Sequence, residues 1–162
     1  MAATGVSLSA RLVRLLLRRE VTGEVRRQTL LHIADAVAIA WAATRGGPLA
    51  GQVHEAVTWG AGGGACRVLG SAVRHPPALA AFANSALIHL LDFDDIHDTA
   101  RLHPTVVTLP AALAAAELAN AAPARVVDAV ARGNELMCRL GALYSPTGSG
   151  SGSDWFLTQL FG

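Results

Sequence analysis

The sequence predicts an all-α helical bundle of about six helices. Three observations carry that expectation. Apolar residues recur at i, i+3 and i+4 through most of the chain. Proline and glycine fall between these stretches, where helices start and stop. Two of the stretches are crowded with alanine, which lets helices approach closely. At 162 residues the chain has the length of one domain.

The first element runs from Ser9, a candidate cap, to Glu20, with Leu12, Val13, Leu15, Leu16 and Leu17 between arginines. Its arginine face reads as a solvated face. Thr22 starts a longer helix that ends at Gly46-Gly47, with Leu30, Ile33, Val37 and Trp41 as its apolar rhythm. His32 and Asp35 stand i, i+3 on it and are expected to pair. Pro48 opens a third helix to about Gly60, with Val53, Ala56 and Val57 facing inward and His54 and Glu55 facing water. The run 61–65 reads as a flexible link without the lysine of a phosphate loop, and Cys66–Gly70 as a short extended piece.

His75-Pro76-Pro77 stops one element and starts the next, a small-residue helix over 78–91 placed at the centre of the bundle. Pro104 begins another alanine-rich helix to Asn120, which Pro110 should kink or split. Pro123 begins the last clear helix. Its core stripe is Val126, Val127, Val130, Leu136, Met137, Leu140 and Leu143, and Gly133 marks close packing. Residues 1–144 are thus one helical unit. Residues 145–154 read as a Gly/Ser loop, and 155–162 as the start of a further helix of the same domain that stops early, as in a truncated chain.

Composition excludes several classes. Hydrophobic residues make up 52% and charged residues 15%, which leaves an apolar surface to be covered by more chain or another subunit. The net charge of +1, with thirteen dispersed arginines and no lysine, argues against nucleic acid as a partner. No run is long and apolar enough to span a membrane, and no secretory leader is visible, so a cytoplasmic protein is expected. Cys66 and Cys138 lack metal or redox spacing and read as small core residues.

The chemistry concentrates between the two alanine-rich helices. Four of the twelve acidic residues, Asp92, Asp94, Asp95 and Asp98, fall within seven positions, and His89, His97 and His103 lie in or beside them. Carboxylates are almost never buried without partners, so the cluster is either an exposed loop or a site. Asp94, Asp95 and Asp98 spell DDxxD, a spacing that suits Mg²⁺ in prenyl-diphosphate and terpene synthases. That reading lacks the companion arginine pair and second acidic motif. A metal-dependent phosphohydrolase built on His97-Asp98 is weaker still. The other chemical reading is acid–base work by Asp92 and His103.

The run Asn84-Ser85-Ala86-Leu87-Ile88-His89-Leu90-Leu91-Asp92-Phe93-Asp94-Asp95, followed by His103-Pro104 and Leu109-Pro110-Ala111, resembles the N-terminal half of the MmgE/PrpD family. Ser85 stands where that family usually carries glycine. The resemblance implies the front part of a helical domain in a cytoplasmic homodimer. It implies a lyase or related enzyme acting on a small tri- or dicarboxylic acid, such as 2-methylcitrate or cis-aconitate, with no metal and no organic cofactor. It makes Asp92 and His103 the active-site pair. Asp94 and Asp95 are then loop-shaping, and His97, Arg101 and Thr105 are candidate substrate contacts. The N-terminus of the Pro104 helix is a further candidate for a substrate carboxylate. The family's site also draws on later sequence, so this chain alone is expected to be inactive. A helical remnant that only packs on a partner is the non-enzymatic alternative.

Overall fold

A computed structural model describes residues 5–46, 48–58 and 63–144. Among these, six α-helices and one two-stranded hairpin follow in the order α1 Leu8–Arg18, α2 Gly23–Arg45, α3 Pro48–Thr58, β1 Cys66–Arg67, β2 Arg74–His75, α4 Pro77–His89, α5 Thr105–Ala119 and α6 Pro123–Tyr144. The Gly/Ser loop and the last helix start expected over 145–162 lie outside the described residues.

The helix starts follow their capping chemistry. The Thr22 hydroxyl accepts from the Val25 N–H and starts α2, as expected. Ser7, not Ser9, caps α1 by accepting from Ala10. Asn120 ends α5 in the left-handed conformation (φ 47°).

α4 and α5 pack most extensively, and α2, α6 and α3 close around them. The core holds Ala36, Ala40, Ala80, Ala83, Leu87, Ile88, Val106, Leu109 and Val130. Alanine at the crossings is what brings these helices together. α2 is seated by Thr29, Ala36, Ile39, Ala40 and Ala43. Its expected stripe is therefore corrected: Leu30, Val37 and Trp41 are exposed and Ile33 is half-buried. Leu30, Ile33 and Val37 share a face, but it lines an open groove of about 770 Å³ with Leu109, Leu113 and Val126. On α3, Ala50 is buried while Ala56 is exposed. His54 is half-buried instead of facing water, because its Nε2 lies 2.9 Å from the Leu69 carbonyl. Leu143 at the end of the α6 stripe is also exposed.

The extended piece at Cys66 has a partner that the sequence reading did not supply, since Cys66 faces His75 and Arg67 faces Arg74 in an antiparallel pair. Buried Asn84 on α4 holds this hairpin: its Oδ1 accepts from Leu69 N–H at 2.8 Å and its Nδ2 donates to the Arg67 carbonyl at 2.9 Å. A Cβ on Gly64 would sit 1.9 Å from the His75 carbonyl carbon, so only glycine passes there. Cys66 and Cys138 are free thiols, and burial pushes both up from the ordinary thiol range. Arg26 on α2 ties to Asp128 on α6 through two hydrogen bonds, which hold the Asp128 carboxyl below the usual range.

Pro110 does not split α5, which runs unbroken from Thr105 to Ala119. Proline removes the N–H that would have met the carbonyl four residues earlier. That carbonyl belongs to Val106, and the Ser85 hydroxyl of α4 donates to it instead. The Ser85 hydroxyl thus replaces the lost bond and joins the two central helices.

Gly133 and Gly141 let α6 close on its neighbours. A Cβ on Gly133 would stand 2.8 Å from Thr108 Cγ2. A Cβ on Gly141 would stand 2.6 Å from Leu102 Cδ2 and 2.7 Å from Ala100 Cβ. Ala100 and Leu102 belong to the loop between α4 and α5, so Gly141 is where that loop seats on α6. Gly141→Ala is expected to lower stability by about 1–3 kcal/mol, read by urea unfolding. An unchanged midpoint would show that the loop is not seated there.

Candidate active site

The acidic loop joins the end of α4 to the start of α5 and is built by its own backbone. α4 stops at His89, earlier than the Leu91 end expected. The Asp92 N–H then bonds back to the His89 carbonyl at 3.0 Å, and Asp92 adopts φ 55°. Asparagine and aspartate tolerate this left-handed region better than most side chains. Further on, His97 and Leu102 form an antiparallel bridge: the His97 N–H donates to the Leu102 carbonyl at 2.8 Å. Arg101 turns the corner at φ 50° and donates its N–H to the His97 carbonyl at 2.7 Å. The His97 ring caps the turn, with Nδ1 accepting from the Ala100 N–H at 3.0 Å.

That turn sets three carboxylates in three environments. Asp92 is exposed and makes no side-chain bond among the described residues. Asp94 points inward, with its side chain only 1% exposed. Its oxygens lie 2.9 and 3.1 Å from His89 Nδ1, and Oδ2 lies 3.2 Å from His103 Nδ1. The His103 contact is an ion-pair approach, not an aligned hydrogen bond. The two imidazoles meet edge to face, their centroids 5.0 Å apart and their planes at 68°. His103 is buried (8% side-chain exposure), whereas His89 is half open to solvent (51%).

Asp95 does different work. Its Oδ1 accepts from the Thr105 N–H at 3.2 Å and its Oδ2 from the Thr105 hydroxyl at 2.7 Å. Pro104 has no capping side chain of its own, so Asp95 caps α5 from the loop. The Thr105 hydroxyl also accepts from Asn134 Nδ2 at 2.9 Å, and Asn134 Oδ1 accepts from the Thr108 hydroxyl. Loop, α5 and α6 are thereby joined. His32 approaches Asp95 Oδ2 at 3.6 Å, so it faces the loop and not Asp35.

Of the sequence candidates, His103 and Asp94 come together with His89. Asp92 stays on the outer side of the loop, and the carboxylate beside His103 is that of Asp94. Asp95 bonds to Thr105 at the start of α5. Thr105 is fully buried with its hydroxyl bonded on both sides, which turns it away from any ligand. His97 is half-buried and Arg101 exposed. The start of α5 is largely occupied, because Asp95 takes the Thr105 N–H and the Pro104 carbonyl takes those of Val107 and Thr108. Asn134 was missed by the sequence reading. A polar side chain at helical spacing between Val130 and Met137 on the inward face of α6 was the available signal.

The DDxxD reading is corrected by this geometry: Asp94 turns to the imidazoles, Asp95 to Thr105, and Asp98 to solvent. Among the described residues one group has metal-ligand geometry, His89, Asp94 and His103, with a donor atom from each within 4.8 Å of the others. Two imidazoles and a carboxylate are ligands of the kind that zinc takes. The His97-Asp98 pair forms no such group, and its His97 Nδ1 is occupied by the Ala100 N–H. No helix among the described residues is long and apolar enough to cross a membrane.

A helical domain whose acidic loop gathers His and Asp at the mouth of its central helices defines a class, and comparison with known families agrees. Residues 10–162 match the MmgE/PrpD N-terminal domain, and the chain belongs to that family. Cis-aconitate decarboxylase of Aspergillus terreus is 34% identical over 99 residues, covering 61% of this chain and 20% of that protein. A cis-aconitate decarboxylase-like protein, oryM, of Aspergillus oryzae is 44% identical over 55 residues, 34% of this chain and 11% of that protein. The matched stretch thus spans about a fifth or less of these relatives' length. No solved structure matches significantly.

Asp95→Ala removes the α5 cap and leaves the buried Thr105 hydroxyl without its acceptor. It is expected to cost about 1–2 kcal/mol, with Asp95→Asn losing less. Equal unfolding midpoints for wild type and Asp95→Ala would show that the cap adds nothing.

Proposed function

We propose that the protein carrying this chain is a lyase acting on a small tri- or dicarboxylic acid. Decarboxylation of the cis-aconitate kind is the reading best supported, and dehydration of the 2-methylcitrate kind its close alternative. The observation that carries this is the buried imidazole of His103, held against a buried carboxylate at the entrance to α5. It stands in a chain of the MmgE/PrpD family whose relatives are named as cis-aconitate decarboxylases.

The chemistry asks for few groups. Loss of CO₂ leaves electrons on the carbon beside the remaining carboxylates, and that carbon must take one proton. Dehydration removes a proton next to a carboxylate and gives one to the departing hydroxyl. Both need a group that holds or releases a proton at a fixed place. Imidazole serves in either direction, and His103 takes that role. Asp92, exposed on the outer side of the same loop, is its proton-transferring partner. Its left-handed backbone is the kind of conformation that recurs at functional sites. Arg101, exposed at the loop's corner, is placed to meet a substrate carboxylate, with His97 beside it.

The reaction proceeds without a metal or organic cofactor, and residues beyond those described complete the site. The protein works as a homodimer in the cytoplasm, without nucleic acid or membrane as partner. Exposed Leu15, Leu17, Leu31 and Trp41 on α1 and α2 support a covered apolar surface.

The test is turnover of cis-aconitate and 2-methylcitrate by the complete protein, following CO₂ release and double-bond formation separately. His103→Ala is expected to lose about two or more orders of magnitude in kcat, and EDTA to leave the wild-type rate unchanged. Near-wild-type turnover by His103→Ala would falsify the assignment, and loss of activity in EDTA restored by a divalent ion would replace it with metal chemistry.

A further inference from the structure

Resting on the lyase reading for its consequence alone, we propose that His89, Asp94 and His103 form a site for a divalent ion of the zinc kind. An ion bound there takes His103 out of proton transfer. The reaction itself uses no metal, so the ion acts as a reversible stop.

The donor set comes first. Among the described residues, these three bring one donor atom each to within 4.8 Å of the others. Two imidazole nitrogens and a carboxylate are a set that zinc takes where it keeps a further position open. Both rings approach through Nδ1. His89 Nδ1 lies 2.9 Å from Asp94 Oδ1, and His103 Nδ1 lies 3.2 Å from Asp94 Oδ2. Ligands bonded to one tetrahedral ion at about 2.0–2.1 Å stand roughly 3.3 Å from each other. Closing on an ion therefore asks for shifts of tenths of an ångström at these two edges. The approach of His103 to Asp94 is close without being an aligned hydrogen bond. Two ligands of one ion stand in that relation, since each lone pair points to the ion and not to the neighbouring donor.

The surroundings favour a cation. The Asp94 side chain is 1% exposed, so its charge is little screened. Asp92, Asp95 and Asp98 lie on the same loop and add negative charge around it. α4 ends at His89, and the C-terminal end of a helix dipole attracts positive charge. The start of α5, whose dipole would repel it, is capped by the Asp95 carboxylate. His89 is half open to solvent, so an ion can enter from that side and keep a water as its fourth ligand. The consequence follows from electron pairs. Coordination uses the Nδ1 lone pair, so a proton on that nitrogen leaves to solvent or moves to Nε2. A ring bound through Nδ1 and carrying hydrogen on Nε2 has no lone pair left to take a proton.

The experiment uses the complete protein without a histidine tag, stripped with EDTA and exchanged into metal-free buffer. Zinc is titrated by calorimetry. Cobalt(II) is added separately, and its visible absorption reports whether the ion is four-coordinate. One ion per chain is expected. Loss of a residue that only supports a metal ligand typically costs about 10–100-fold in affinity, so loss of a ligand itself in His89→Ala should weaken zinc by about 100-fold or more. Asp94→Asn should be at least as severe. His32→Ala alters a neighbouring imidazole outside the set and should bind zinc as wild type does. Turnover by the metal-free protein should fall as the site fills and return when EDTA is added.

Wild type that takes up no zinc overturns the inference, and that arm needs no variant to fold. Equal affinity in wild type, His89→Ala and Asp94→Asn puts the ion elsewhere and overturns it as well. Turnover unchanged at a filled site overturns the stop, while the lyase reading survives. If metal-free protein turns over neither acid while zinc still binds at these three residues, the lyase reading falls and the site stands.

Discussion

A buried carboxylate between two helix ends is the constraint from which the rest of this site follows. Taking an isolated carboxylate out of water costs on the order of several kcal/mol, and Asp94 is almost wholly out of water. Polar neighbours must offset that cost, and here they are His89 and His103. One terminates α4 and the other precedes α5, so neither helix end can move without leaving the charge exposed to apolar surroundings. The loop between them cannot be a loosely solvated link. It is pinned at Asp94 from inside, at Asp95 through the α5 cap, and at Ala100 and Leu102 against Gly141 of α6.

The apolar packing serves the same end. α4 and α5 meet through Ala80, Ala83, Leu87, Ile88, Val106 and Leu109, with alanine setting a close approach. That closeness lets Ser85 reach the Val106 carbonyl freed by Pro110. It also lets Asn134 of α6 reach Thr105 at the first turn of α5. Substituting a larger residue at the α4–α5 contact would open both bonds as well as lose packing, because a hydrogen bond fails over a few tenths of an ångström. The small side chains of the central helices are therefore part of what holds the polar loop in register.

The sequence made the helical class, the helix starts at Thr22, Pro48 and Pro123, and the location of the chemistry readable, because caps, prolines and clustered charge are local signals. What it hid depended on contacts between distant segments. Leu30, Ile33 and Val37 follow helical periodicity, which reports that they share a face but not what that face meets. The structure seats α2 on its alanine face and leaves these three lining a groove. Pro110 predicts a break for an isolated helix, but α5 runs through it, with the hydroxyl of Ser85, twenty-five residues away, bonded to the freed Val106 carbonyl. Asn84 and Asn134 look like incidental polar residues until their hairpin and threonine partners are in place.

The carboxylates show the limit most sharply. Helical spacing puts His89 and Asp92 on one face, which makes Asp92 the natural partner for a nearby imidazole. That spacing holds only while the backbone stays helical. α4 ends at His89, and the positive φ at Asp92 redirects the chain, so the inward position passes two residues on, to Asp94. Asp95, adjacent to it, then faces Thr105. Identical side chains within four positions thus acquire separate environments from one backbone reversal: open to solvent, buried against imidazoles, and fixed at a helix start. The carboxylate on the open side of the loop stays accessible to solvent, the buried one lies against the imidazoles, and the third holds the start of α5. The chemistry available to each aspartate is set by that turn, which no count of acidic residues along the chain would reveal.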